Sequence, residues 1–247
     1  MNGQLQVMPE EWSRAMAVVA HPDDLEYGAA SAVARWTRAG RSVAYVIVTD
    51  GEAGIDGLDP AEAGPVRQKE QIASAALVGV DDVTFLGRRD GVVETGLDLR
   101  RHIARHIRRF RPEVLVTATF EMTYGLADGQ RILNQADHRA VGVAVLDAAR
   151  DAGNRWVFPE LLDEGYAPWT GVRHVYVVGA SDPTHAADVT DTLEPGVASL
   201  RAHEAYLRGL GRDFDPETFV RATTATAGAA LGVPHAVAFG QIRLQGV

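Results

Sequence analysis

His21-Pro22-Asp23-Asp24 crowds one imidazole and two carboxylates into four residues, and Asp137-His138 adds a second imidazole–carboxylate pair far along the chain. A neutral imidazole beside an ionised carboxylate is half of a borderline metal site. Two histidines and one carboxylate form the donor set of an open catalytic zinc site, whose fourth position is left for water. The same residues also suit plain turns, in which Pro22 bends the chain and Asp24 and Asp137 cap the helices that follow. The metal reading requires the two stretches to meet in space, so the elements around them decide it.

Those elements alternate. Residues 15–20 are a short apolar run, as in a strand buried on both faces. Leu25, Ala29, Val33 and Trp36 then recur at helical spacing, and Gly40 suits a helix terminator. Residues 43–48 read as a second buried strand, and 83–86 and 114–118 as a third and a fourth strand. Helices are marked by Val66, Ala73, Leu77 and Val80, by Leu99, Ile103, Ile107 and Phe110, and by Val141, Ala144, Val145 and Ala148. Strand and helix in alternation predict an α/β, Rossmann-like three-layer fold with a mostly parallel sheet. Ligands bind such sheets at the carboxyl ends of the strands. His21 to Asp24 follow the first of these strands, and Asp137-His138 follow the fourth after a long loop, so both lie at the predicted ligand edge.

Two long loops border that edge, residues 51–65 and 120–137; loops of this length are commonly functional or mobile. After residue 156 the pattern weakens to a strand over 172–178 and a helix over 193–210. The expectation is one domain spanning residues 1–247, with a core of about 15–210 and a less regular C-terminal segment, 211–247, near the active site.

Composition narrows the function. A formal net charge of −9 disfavours nucleic acid and anionic membrane surfaces as partners. With no cysteine, any metal must be held by His and carboxylates. Met1 to Glu11 lack a basic segment followed by an apolar run, and the chain is expected to be cytoplasmic.

Strand, His21-Pro22-Asp23-Asp24, helix, and later Asp137-His138-Arg139-Ala140-Val141-Gly142 together resemble the LmbE-like (PIG-L) deacetylase superfamily. Thr49-Asp50-Gly51-Glu52, Arg67 with Glu70, Phe85-Leu86-Gly87 with Asp90-Gly91, Asp188-Val189-Thr190-Asp191 and Leu200-Arg201-Ala202-His203 match lesser features. The resemblance covers most of residues 15–210. It implies a Zn²⁺ or other divalent metal held by His21, Asp24 and His138, with Asp23 as general base. The implied reaction removes an acyl group, usually acetyl, from an N-acetylated sugar or glycoconjugate. It leaves homo-oligomerisation open.

The chain departs from the family at Gln135-Ala136-Asp137-His138, where many members have His-Pro-Asp-His. Gln135 can donate a hydrogen bond to an oxyanion but cannot carry a proton. The position of a tyrosine seen in some members is Leu133; Tyr124 in the same loop is either its substitute or an ordinary loop aromatic. Arg67 and Asp90, read as loop residues, are candidates for sugar hydroxyls or for a solvated surface. His203 is a candidate for the substrate pocket, for a ligand's partner or for a plain core histidine. His102 and His106 have helical i, i+4 spacing but sit among arginines that would repel a metal. The same scaffold also suits hydration of an unsaturated acid. A non-catalytic nucleotide-binding domain ranks last, because the pyrophosphate-binding glycine fingerprint is absent after the first strand.

Overall fold

In the computed structural model, which describes residues 5–125, 130–211 and 213–244, the apolar runs become strands because each has helices to cover both faces. The order begins with β1 (Gln6–Val7), β2 (Arg14–Val19), α1 (Asp24–Gly28), α2 (Ala30–Arg38) and β3 (Ser42–Thr49). It continues with α3 (Pro60–Leu77), β4 (Asp82–Arg88), α4 (Leu97–Phe110) and β5 (Val114–Ala118). A hairpin of β6 (Thr123–Gly125) and β7 (Arg131–Leu133) leads into α5 (Ala136–Asp151) and the short α6 (Glu160–Asp163). β8 (His174–Val178), β9 (His185–Asp188), α7 (Leu193–Arg201), α8 (Glu204–Gly209), α9 (Pro216–Leu231) and β10 (Ala236–Arg243) complete the described chain.

The sheet order is β1-β9-β10-β8-β5-β2-β3-β4. From β8 to β4 every neighbouring pair is parallel, and β10 runs antiparallel to both β8 and β9. Alternation along β2 divides the core. Ala15, Ala17 and Val19 face a layer containing Val33, Trp36 and Tyr176, whereas Met16, Val18 and Ala20 face Ile103, Ile107, Val141 and Val145. The result is the three-layer α/β arrangement expected from the sequence.

Three local expectations are corrected. The long loop after β3 is shorter than 51–65, because α3 already starts at Pro60: Asp59 caps it by accepting from the Ala61 N–H at 2.9 Å. A proline at the first helical position costs nothing, since that N–H has no partner in a helix; Pro65 is then carried inside the helix. The single helix over 193–210 is two helices, broken before Glu204 with His203 as the cap residue. The segment 211–247 is regular over most of its described length. Asp215 caps α9, and β10 enters the sheet between β8 and β9 instead of trailing away from it. Residues 126–129, part of the second long loop, lie outside the described residues. Among the described residues no helix is long and apolar enough to cross a membrane.

β2 is the switch point: β3 pairs on one side and β5 on the other, so the connections leave in opposite directions and open a crevice beyond its carboxyl end. α5 is pressed to that crevice. A Cβ at Gly142 would stand 2.5 Å from the Phe120 Cβ in the loop after β5, so only glycine allows this approach.

Candidate active site

His21, Asp24 and His138 meet at the crevice. His21 Nδ1 lies 3.2 Å from His138 Nε2, His138 Nε2 lies 3.0 Å from Asp24 Oδ1, and His21 Nδ1 lies 3.7 Å from Asp24 Oδ1. Ligand atoms about 2.0–2.2 Å from a tetrahedral zinc are separated by roughly 3.3 Å, and the triangle has that size. Both histidines are 7 % exposed, so the three atoms face one another with little water between them. The three residues could hold a metal ion.

The partners behind the triangle orient its lone pairs. His21 Nε2 faces Asp90 Oδ1 at 3.1 Å and Asp137 Oδ2 at 3.3 Å. Two carboxylates can only accept, so Nε2 carries the proton and Nδ1 presents a lone pair to the triangle. His138 Nδ1 faces Asn134 Oδ1 at 3.0 Å. Asn134 Nδ2 donates to the carbonyls of Thr119 and Glu121, both at 2.9 Å, which turns its oxygen toward His138. His138 therefore donates from Nδ1 and offers Nε2. Asp24 Oδ2 accepts the N–H groups of Ala20 and His21, at 3.0 and 2.9 Å, leaving Oδ1 for the triangle. Fixing ligands through their second heteroatom is how metal sites hold ligand geometry.

The buried carboxylates set the charge of this arrangement. Burial pushes the Asp24 carboxyl up, but His138 and His21 more than offset it and hold the group well below the usual carboxylate range. Burial would lower His21, yet Asp137, Asp24 and Asp90 hold it well above its ordinary value, so a metal ion bound at Nδ1 displaces a proton that these carboxylates otherwise favour. The site is a strongly anionic cradle that favours a cation.

Asp23 is built differently. Burial pushes its carboxyl up to about 6 against the downward pull of Arg67. Arg67 Nη2 donates to Asp23 Oδ2 at 2.8 Å and also to the Pro22 carbonyl. Asp23 has φ 88°, a left-handed conformation that few non-glycine residues adopt, although Asp tolerates it better than most. This turn aims Asp23 and Asp24 to different partners although they are adjacent in sequence. Gly51 makes room for the guanidinium: it has φ 66°, and a Cβ there would stand 2.9 Å from Pro22 Cδ and 3.0 Å from Arg67 Cζ.

The structure redistributes the other candidates. Arg67 lies on α3, not in a loop; it is 2 % exposed and spent on Asp23, with its guanidinium stacked 4.1 Å over the Tyr206 ring. Asp90 holds His21 and accepts from the Ala53 N–H at 2.9 Å, joining the two loops of the mouth. Tyr124 sets its hydroxyl 2.6 Å from His138 Nδ1, on the side of the ring away from the triangle. His203 is fully buried, with Nε2 3.8 Å from Glu26 Oε2; that is an ion-pair distance and too long for a hydrogen bond. Gln135 is the exposed cap residue of α5, one turn before His138, and its side chain makes no capping bond. His102 turns back to the Asp98 carbonyl at 2.8 Å, and among the described residues it forms no metal-binding group with His106.

Asn134, Gln71 and Glu26 escaped the sequence reading. Their chemistry is ordinary and their partners are distant: Gln71 meets Asp23 across 48 positions. The one usable signal was Asn134 four residues before His138.

With this geometry established, comparison with known proteins gives a consistent result. The GlcNAc-PI de-N-acetylase (PIG-L) family matches residues 16–149. A 1D-myo-inositol 2-acetamido-2-deoxy-alpha-D-glucopyranoside deacetylase of Streptomyces griseus is 31% identical over 245 residues, covering 78% of this chain and 75% of the relative. The structure of N,N'-diacetylchitobiose deacetylase from Pyrococcus horikoshii superposes with a TM-score of 0.83 at 22% identity, covering 95% of this chain and 85% of that one. A 4-carboxy-2-hydroxymuconate hydratase from Pseudomonas putida shares the fold at a TM-score of 0.75 and 18% identity, covering 95% of this chain and 98% of the other. The matched region contains His21, Asp23, Asp24 and His138, and by this match the chain belongs to the GlcNAc-PI de-N-acetylase (PIG-L) family.

Proposed function

We propose that this protein is a zinc-dependent N-deacetylase acting on N-acetylated amino sugars or their glycoconjugates. The observation that carries the reading is the pairing of two functions in one turn: Asp24 completes a three-ligand cradle while Asp23 stands beside it as a buried carboxylate pushed up to about 6. When bound, zinc supplies Lewis acidity for the acyl carbonyl and makes water acidic enough to ionise near neutral pH.

The chain's own residues do the rest. His21, Asp24 and His138 would hold the metal. Asp23 takes a proton from the attacking water and returns it to the leaving amine, a cycle that begins with the ionised form and needs no histidine. Arg67 holds Asp23 in orientation and favours that ionised form. The open groove of about 630 Å³ lined by Val93, Glu94, Thr95, Arg139, Ala140 and Val143 adjoins the first turn of α5 and suits the rest of a saccharide.

The test is a panel of N-acetylated saccharides, N,N'-diacetylchitobiose among them, assayed for free amine and acetate, with an unsaturated dicarboxylic acid followed by its ultraviolet absorbance. The reading expects equal amounts of amine and acetate and no loss of enoate absorbance. The reverse pattern would assign hydration instead.

Gln135 supplies a separate prediction. Its exposed amide, at the mouth and one turn from His138, is placed in this reading as a donor to the oxyanion. Loss of such a donor costs about 10²–10³ in turnover. Gln135→Ala is expected to weaken turnover, and Gln135→Glu to weaken it further by repelling the oxyanion. A Gln135→Glu protein as active as wild type at neutral pH removes that role.

A further inference from the structure

Asp23 is held from two directions. Arg67 takes its carboxylate; the second hold is on its backbone. The Asp23 N–H donates to Gln71 Oε1 at 2.9 Å, and Gln71 Nε2 donates to Glu26 Oε1 at 2.8 Å. Glu26 Oε1 also accepts from Ser74 Oγ at 2.6 Å, and Ser74 Oγ lies 2.7 Å from Ser199 Oγ. Gln71, Ser74 and Ser199 are fully buried, and Glu26 is 2 % exposed.

The chemistry gives this chain a direction. An amide can present either end, but an ionised carboxylate only accepts. Glu26 Oε1 takes two donors at once, the Gln71 amide and the Ser74 hydroxyl, as a carboxylate oxygen can. Glu26 therefore claims the NH₂ end of Gln71, and the oxygen must point to Asp23. Without that oxygen, a buried N–H at a left-handed residue has no acceptor, and such conformations persist only where the surroundings over-determine them.

We propose that Gln71, with its amide oriented by Glu26, is a positioning residue that locks Asp23 in its left-handed turn and so holds the general base beside the metal cradle. This rests on the reading of Asp23 as the base. Ser74 and Ser199 extend the hold to α3 and α7, so the base is tied to two helices outside the ligand triangle.

The polarity of the pair can be exchanged. Gln71→Glu keeps an acceptor for Asp23 but sets two carboxylates against each other. Glu26→Gln leaves the amide of Gln71 without its orienting carboxylate. In the double variant Glu26→Gln/Gln71→Glu the new amide donates and the new carboxylate accepts, so the hold on the Asp23 N–H is restored. The experiment compares wild type, both single variants, the double variant and Asp23→Asn. It measures kcat and KM on N,N'-diacetylchitobiose, zinc content, and hydrogen exchange at the Asp23 amide.

The expected result is a fall in kcat of about tenfold to a hundredfold in Gln71→Glu, as for a misplaced catalytic group, with KM and zinc content unchanged. Exchange at the Asp23 amide should quicken. The double variant should regain about tenfold of the lost kcat and the amide protection, the size of coupling expected for residues in direct contact. Gln71→Glu at wild-type kcat with Asp23→Asn inactive overturns the positioning role and leaves the base assignment standing. An active Asp23→Asn removes the base assignment itself. Unchanged amide exchange in Gln71→Glu overturns the proposal whatever the activity, as does a double variant no better than the worse single one.

Discussion

Asp23→Asn is expected to lower kcat by about 10²–10⁴-fold while leaving zinc content and fold intact, since that is the range contributed by a positioned general base. The substitution preserves volume, and the three atoms of the candidate metal site belong to other residues. Arg67 would still reach the side-chain oxygen of the new amide, so the turn keeps its partner. What disappears is the capacity to accept a proton. The pH dependence carries the same signature. Asp23 works as a base only when ionised, so kcat/KM of the wild type must fall as pH drops through its pKa. Burial sets that pKa at about 6 despite Arg67, and a bound cation would pull it lower. The acid limb is therefore expected at or below about pH 6. It should be absent from the residual activity of Asp23→Asn. A variant within a few-fold of wild type, or one that keeps the acid limb, contradicts the role.

His138→Ala is expected to abolish metal retention and, with it, turnover. Mutating the partners of a metal ligand already costs about 10–100-fold in metal affinity, and His138 is one of the three residues of the candidate metal site. Its loss also orphans Asn134 Oδ1 and the Tyr124 hydroxyl, both turned toward the missing ring. Elemental analysis after dialysis should find about one zinc per chain in wild type and little in the variant. Stoichiometric zinc in His138→Ala would remove the basis for the triangle.

How far the sequence discloses this site depends on the kind of signal each part carries. Strands buried on both faces are short runs of Val, Ile and Ala, so β2, β3 and β5 stood out, and the carboxyl-end rule then brought His21 and His138 to one edge. α9 and β10 did not stand out. The helix is rich in Thr, Ala and Gly and has little contrast between faces, although Asp215-Pro216 at its start and Gly232 at its end are ordinary helix boundaries. β10 enters the sheet antiparallel and includes Gly240, so it lacks the β-branched run of its neighbours.

Pro60 and Pro65 lengthen the apparent loop before α3, whereas the first of them starts the helix, and Arg67 lies about two turns inside it. Its role on Asp23 depends on a contact across 44 positions, and that of Gln71 on one across 48. Local spacing cannot disclose contacts of that kind. The His and Asp residues of the triangle are legible because their chemistry is rare at a sheet edge; the residues that orient them are not, because amides and serines are common everywhere.

The most direct test of the central claim is a zinc titration of chelator-stripped protein, following acetate released from an N-acetylated saccharide that the wild type accepts. The account predicts no release from stripped protein, a rise proportional to added zinc, and a break at one zinc per chain. Acetate released at full rate by protein shown to be free of metal would contradict it.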